Sequence, residues 1–526
     1  MAFKGMSLKR IIEQFENLNI SDTLRRGVEK ECLRVTQKGV ISQKPHPQAL
    51  GSALTHSHIT TDYSEALLEF VTPVFKDPAA MLEYLQDLHI FTLKNLDDEI
   101  LWSNSMPCLL EKESTIPIAD YGTSNIGKMK KVYRRGLLNR YGSAMQVIAG
   151  IHFNFSMTDE FFEVWKQIEK NENSFQVFKS KHYMNAARNI HKNSWLVPFV
   201  FGSSPAICRS FLNKSPVGIK LDEFDDKGTL SFDGATSLRL SNLGYTNSGQ
   251  DKISISYNDI ECYINGLRTA MSTKEERYEE LGVKVDGEYI QLNSNLLQIE
   301  NEYYSSIRPK RVAKSGESPT NALKRGGVEY LELRSVDVNA FSPIGLDLDQ
   351  VYFLDVFLIY CMLKKNDSLT PEMTKKFRAN QEMVARHGRR KNLTLFDGEK
   401  DVNAVELAKS VFADFFVIAE KLDKELASSH YTNTIQHFNE CIEDSSKLYS
   451  ERLLNEMRET GKCFFNTTLS KSIDYSSKLK NMELSEEKIK HFEEMSTKSL
   501  EKQKQIEAGD VLSFDEFLDQ YFKQNT

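Results

Sequence analysis

The sequence lacks the features of several protein classes. It has no Cys-x-x-Cys pair. Its seven cysteines, Cys32, Cys108, Cys208, Cys262, Cys361, Cys441 and Cys463, are odd in number and widely spaced. That argues against a disulfide framework or a zinc finger and fits reduced thiols in a cytoplasmic protein. There is no basic excess: the net charge is -7. A nucleic-acid or anionic-membrane surface must be basic, so neither partner is expected. The N-terminal MAFKGMSLKRIIEQF holds no apolar run long enough for a signal-peptide core. The longest apolar stretch, Val351 to Leu363, is interrupted by Asp355 and is too short to span a bilayer, so it is expected to be a buried core helix. Internal repeats and low-complexity linkers are also missing.

What remains is ordinary globular material: 526 residues, 40% hydrophobic and 27% charged. This is enough for a sizeable core. Apolar residues Leu8, Ile11, Ile12, Phe15 and Leu18 mark one face of a helix. Asp77-Pro78 opens a second helix, with Asp as cap and Pro in the first turn. Residues 128–140 read as a basic helix, and Asn258 with Glu261 resembles a capping box. Period-two alternation predicts strands over Val28–Val35, Leu67–Thr72, Met145–Phe155, Leu296–Tyr304 and Val328–Val336. From Lys364 to Gln524 the pattern is almost wholly helical, without strands. Irregularly spaced strands followed by helices predict an α+β protein.

The strands carry the chemistry. Glu29 and Glu31 lie two apart and share a strand face. An isolated Glu-x-Glu is usually a solvated face. Glu69, however, has apolar neighbours on both sides, and a buried carboxylate needs a metal or basic partner. Asp62 precedes it by seven residues. Glu332 and Arg334 share a face, where they could form an ion pair or hold a metal and a phosphate oxygen side by side. His152 shares a face with Asn154 and Gln146, although a lone strand histidine is more often a satisfied core residue. Together these give five carboxylates and one histidine on strand-like segments, an oxygen-rich set that suits Mg²⁺ or Mn²⁺ better than zinc. Gly122–Lys128 has the spacing of a phosphate-binding P-loop. Met129 stands where Ser or Thr should hold Mg²⁺, and no clean apolar strand precedes it, so that reading fails. Arg308, Lys310, Arg311 and Lys314 form a basic run beside the acidic segments, a candidate phosphate clamp.

The segments RGVEKECLRV, SMPC, YGTSNIGKMKKVYRRGLLNRYG, GIHFNFS, ATSLRLSNLGYTN, LQIENEYYSSIRPKR and SGESPTNALKRGGVEYLELRSV follow one another in this order. From about Arg26 to Gly345 the chain resembles the proteobacterial-type glutamate–cysteine ligase family. The resemblance implies a glutamine-synthetase-like fold, a curved, largely antiparallel sheet forming an active-site funnel surrounded by helices. Residues 1–526 would form one catalytic unit, with 364–526 its mostly helical portion. It implies ATP-dependent ligation of L-glutamate to L-cysteine through γ-glutamyl phosphate, the first step of glutathione biosynthesis, by a cytoplasmic monomer. It implies metal ligation by Glu29, Glu31, Asp62, Glu69, His152 and Glu332. Glu332 and Arg334 would be catalytic, with Arg308, Lys310 and Arg311 as further contacts to the ATP phosphates. Arg239 would recognise glutamate, with Gln146 nearby, and Tyr133, Leu137, Tyr245 and Tyr304 would form the cysteine pocket. His58 stands where the family has a bulky aromatic residue and receives no ligand role. Cys108 is expected to be structural. The rival readings are a ligase for another amine and a non-catalytic metal- or nucleotide-binding protein.

Overall fold

A computed structural model of the chain describes residues 6–110, 116–212, 220–243, 253, 255–314 and 316–524. Its centre is a seven-stranded antiparallel sheet. We label the strands β1 (Leu24–Thr36), β2 (Ile59–Thr61), β3 (Leu67–Val71), β4 (Glu99–Leu101), β5 (Ile151–Met157), β6 (Ile307–Lys310) and β7 (Tyr330–Val336). Their order is β6-β7-β5-β1-β3-β2, and β4 pairs with the end of β1. The long β1 therefore lies between β3 and β5, where both of its edges are hydrogen-bonded.

Alternation sorts the residues of β1 onto two faces. Val28 and Cys32 are fully buried on one face, and Lys30 joins them there, its Nζ 2.8 Å from His89 Nε2 on helix Pro78–Lys94. Glu29 and Glu31 occupy the other face. The buried face is backed by helices. Leu348–Leu363 is apolar nearly all round and sits among the helices Phe175–Lys192, Ala404–Leu426 and His430–Glu443. Its one interior charge, Asp355, is paired: Arg26 Nε lies 2.6 Å from Asp355 Oδ1, and the Tyr431 hydroxyl donates to Oδ2 at 3.0 Å. Among the described residues no helix is long and apolar enough to cross a membrane.

Local chemistry sets the element ends. Asp77 accepts from Ala79 N, and Pro78 occupies the first helical turn, as the sequence predicts. Ser7 caps the first helix, which is shorter than its apolar stripe and ends at Glu13. Helix Ile260–Ser272 is capped by Asp259, one residue beyond the expected Asn258. The Asn258 side chain is instead engaged with the backbone of Leu369.

Three strand expectations are corrected. Residues 296–304 form no strand but fold into a 3-10 turn at Glu300–Glu302. Their carboxylates serve different partners, Glu300 taking the Thr320 hydroxyl and Glu302 taking Arg140 and Tyr141. Met145–Val147 is likewise a turn, and the strand starts only at Ile151. The region after Lys364 holds one small hairpin, Thr394–Phe396 with Asp401–Asn403, around an Asp397-Gly398 turn whose glycine has φ +121.

Candidate active site

Register brings the acidic residues together. Glu29 on β1 stands opposite His152 on β5, and Glu31 stands opposite Glu69 on β3. Glu332 on β7 is opposite Asn154. Side chains directly opposite on one face approach to about 5 Å, and like charges placed so repel. His152 is the hub: its Nδ1 lies 3.2 Å from Glu29 Oε2 and 3.9 Å from Glu332 Oε1, and its Nε2 lies 3.6 Å from Glu31 Oε1. Two groups of possible ligand atoms result, Glu29–His152–Glu332 and Glu31–Glu69–His152, each with atoms within 4.8 Å of one another. The other end of the Glu332 carboxylate cluster is basic. Lys310 Nζ is 3.4 Å from Oε1, and Arg334 Nη1 is 3.3 Å from Oε2.

Gly150, just ahead of β5, is required by space. Its N–H donates to Glu31 Oε2 at 2.7 Å, and a Cβ there would meet the Arg239 guanidinium at 2.0 Å. A side chain at this position would displace the arginine or the strand end that holds Glu31.

The charges are unequally balanced. Burial raises the Glu31 carboxyl to about 8, with Asp62 adding to the shift against Arg239 and Arg334. Burial also raises Glu69 well above the usual carboxylate range, and Glu29 and Asp62 push in the same direction. Glu332 goes the other way: burial opposes ionisation, but Lys310 and Arg334 outweigh it and hold the group well below the usual range. Burial, with Arg334 beside it, lowers His152 and keeps the ring neutral. A neutral imidazole is the form that binds metal. Two acids held protonated by burial and by neighbouring carboxylates, next to a neutral histidine, make a donor set that a hard divalent cation fits.

The site opens into a cavity of about 420 Å³. All six expected ligands, Glu29, Glu31, Asp62, Glu69, His152 and Glu332, line it. So do Arg334, Arg308 and Lys310. Tyr133, Leu137, Gln146 and Tyr304 are on its walls as well. Gln146 reaches it from the 3-10 turn before β5 and not from a shared strand face.

Two expected contacts fall outside this cavity. Arg311 turns away, donating from Nε to Gly327 O at 2.6 Å with Glu329 at 3.5 Å. It follows Lys310 in an extended segment, so its side chain takes the opposite face. Arg239 is buried behind the wall, its Nη2 donating to Arg334 O at 2.7 Å and its Nη1 3.6 Å from Asp337 Oδ1. It braces the strand that carries Arg334 and is not among the residues that line the cavity. Tyr245 lies outside the described residues.

The cavity also has walls that strand patterns did not reveal. Lys130 and Arg134 enter from helix Asn125–Tyr141, and Tyr521 enters from Phe514–Lys523 near the end of the chain. The lysine and arginine are four apart on one helix face, a signal present in the basic segment. Tyr521 had no local signal. The loop with P-loop spacing is occupied by carboxylates: Thr123 N donates to Glu507 Oε1 at 2.9 Å, and Asn125 N donates to Asp510 Oδ2. Cys108 is buried, and burial pushes its thiol up to about 12, the state of an inert structural cysteine.

Comparison with known proteins extends this geometry. The family model described as glutamate-cysteine ligase matches residues 9–384. A protein named glutamate–cysteine ligase from Alcanivorax borkumensis is 41% identical over 98% of this chain and 99% of its own. One from Pseudomonas putida is 42% identical over 96% of each. The crystal structure of glutamate–cysteine ligase from Francisella tularensis in complex with AMP superposes with a TM-score of 0.89 at 34% identity, covering 95% of this chain and 98% of that one. A bifunctional glutathione synthetase from Pasteurella multocida shares the fold, with a TM-score of 0.69 at 21% identity over 93% of this chain and 57% of that one. The fold is thus α+β of the glutamine-synthetase-like kind. With its clustered strand carboxylates, its basic phosphate-side residues and these full-length likenesses, the chain belongs to the glutamate–cysteine ligase family.

Proposed function

We propose that this enzyme uses ATP to join the γ-carboxylate of L-glutamate to the amine of L-cysteine, giving γ-glutamylcysteine, ADP and phosphate, the first step of glutathione biosynthesis. The observation that carries the reading is the meeting, in one cavity, of two acid–histidine groups and the Lys310–Glu332–Arg334 array. Glu29, Glu31, Asp62, Glu69, His152 and Glu332 would hold Mg²⁺ or Mn²⁺, which when bound neutralises phosphate charge and polarises the phosphoryl group.

A carboxylate is a poor electrophile. Transfer of the ATP γ-phosphoryl group to glutamate makes an acyl phosphate, a reaction that depends on positioning and charge neutralisation more than on covalent help from the protein. In this reading Arg334 and Lys310 face the phosphoryl oxygens, and Glu332 sets their positions through contacts on both of its oxygens. Arg308 donates to the carbonyls of Asn301 and Tyr303 and fixes the turn behind the phosphates. The neutral amine of cysteine then attacks the acyl carbon, the carbon–oxygen bond to phosphate breaks, phosphate departs with the electron pair, and the nitrogen releases a proton as the amide forms. Tyr133, Leu137 and Tyr304 form the wall for cysteine, with Gln146 beside the reacting carboxyl. Arg239 acts at one remove, through the strand end that carries Arg334.

Tyr521 on the cavity wall supports one catalytic unit in which the helical portion 364–526 takes part. Seven free thiols suit a cytoplasmic enzyme, and the same reading takes it to be a monomer. The test is phosphate release from ATP with glutamate, Mg²⁺ and a panel of amines. Release that needs glutamate and is fastest with cysteine supports the reading. Preference for another amine, or ATP cleavage indifferent to glutamate, overturns it.

A further inference from the structure

Among the described residues five basic side chains line the cavity, and four of them are engaged. Lys310 and Arg334 flank Glu332. Arg308 donates to two carbonyls. Arg134 donates to Asp62 O and, at 3.0 Å, to Lys130 O. The Lys130 ammonium has no hydrogen bond or ion pair among the described residues. It rests over the Tyr121 ring, 4.9 Å from its centroid. A half-buried ammonium without an anionic partner is costly, and an incoming carboxylate would relieve that cost.

Its place selects the carboxylate. The hydroxyl of Tyr121, the ring beneath the Lys130 ammonium, donates to the carbonyls of Thr61 and Asp62, which places Lys130 on the β2–β3 side of the sheet. The phosphate-side cations Lys310 and Arg334 are on β6 and β7, at the opposite edge. Glutamate must present its γ-carboxylate toward the phosphate side to react. Its α-carboxylate then points the other way, toward the β2–β3 side. The expected cysteine wall, Tyr133 and Leu137, lies one and two turns further along the same helix. Burial, with Arg134 beside it, lowers the Lys130 ammonium to about 8, which still leaves it mostly charged at neutral pH.

We propose that Lys130 binds the α-carboxylate of glutamate and so selects an α-amino acid over a simple carboxylic acid. This rests on the ligase reading above. A salt-bridged hydrogen bond of this kind is worth about ten- to a hundredfold in binding. The test compares glutamate with 4-aminobutanoate, which keeps the reacting carboxylate and lacks the α-carboxylate, in wild type, Lys130→Met and Lys130→Arg. Wild type should favour glutamate strongly in kcat/KM. Lys130→Met should raise KM for glutamate about ten- to a hundredfold, leave KM for ATP within threefold, and collapse the glutamate preference. Lys130→Arg should restore part of it. An unchanged preference in Lys130→Met overturns the proposal, as does an equal rise in KM for ATP or a rise confined to cysteine. A change only in Mg²⁺ requirement also overturns it and makes Lys130 a counter-ion for Glu69 and Asp62. Because the preference is a ratio within one preparation, partial loss of folded protein does not alter it. If wild type itself shows no glutamate-dependent ATP cleavage, the ligase reading fails and not this assignment alone.

Discussion

Glu332→Gln is the sharpest test of the phosphate side. The change keeps side-chain volume and removes one charge from a group that is 1% exposed. Lys310 Nζ at 3.4 Å and Arg334 Nη1 at 3.3 Å then lose their shared counter-ion. At an effective dielectric near 20, one such pair attracts by about 5 kcal/mol before desolvation is subtracted. Removing one member of a buried pair typically costs about 3–5 kcal/mol. Lys310 is 28% exposed, which weights the estimate toward the lower end. The array matters most when charge moves onto the transferring phosphoryl group, so the loss should fall on the rate. At 1.36 kcal/mol per decade it amounts to roughly a hundred- to a thousandfold in kcat. The assay is γ-glutamylcysteine formation at saturating Mg²⁺, ATP, glutamate and cysteine, with thermal unfolding measured in parallel. Turnover within threefold of wild type would refute the reasoning. A lower Tm with full turnover would reduce Glu332 to an ion-pair partner of the fold.

Asp355→Asn should destabilise the protein by about 3–5 kcal/mol in denaturant titrations, because it leaves Arg26 buried without its anion, while the double change Arg26→Met with Asp355→Leu should recover much of the loss. An Asp355→Asn protein as stable as wild type contradicts this. Glu31 titrates near 8 in the fold against 4.5 for an ordinary glutamate, so between those values the folded chain holds a proton that the unfolded chain has released. Its contribution to stability is complete below about 4.5 and is lost as pH rises through 8. In metal-free protein the fall of Tm across this window should therefore be shallower in Glu31→Gln, and superimposable curves would dispose of the idea. Tyr304→Phe should raise KM for cysteine about ten- to a hundredfold by removing one hydroxyl donor to a carboxylate, yet spare glutamate-dependent ATP cleavage measured without an amine. Equal damage to both would place Tyr304 at the glutamate or phosphate site.

The sequence by itself carried whatever depends on neighbours along the chain. Period-two spacing put Glu29 with Glu31, and Glu332 with Arg334, on common faces, and the structure has them so. Asp77-Pro78 announced a helix start because capping is a contact between residues two apart. The helix around Asp355 was legible as core because its apolar run has no polar side. The long motifs from Arg26 to Gly345 carried the family. What depends on distant contacts was not legible. The turn at Glu300–Glu302 mimics a strand because its alternate charges are buried on separate partners, Thr320 and Arg140, that sequence spacing does not expose. Arg311 read as a phosphate ligand from the basic run, and the resemblance implied glutamate recognition by Arg239, but the backbone carbonyls and acids around them take their guanidinium groups. That Glu31 faces Glu69 is a matter of strand register, set by pairing across loops. The same holds for Lys130 and Tyr521: their side chains become cavity walls only because helix Asn125–Tyr141 borders the same cavity as the strands and Phe514–Lys523 packs against that helix, and this packing buries apolar surface from segments nearly four hundred residues apart.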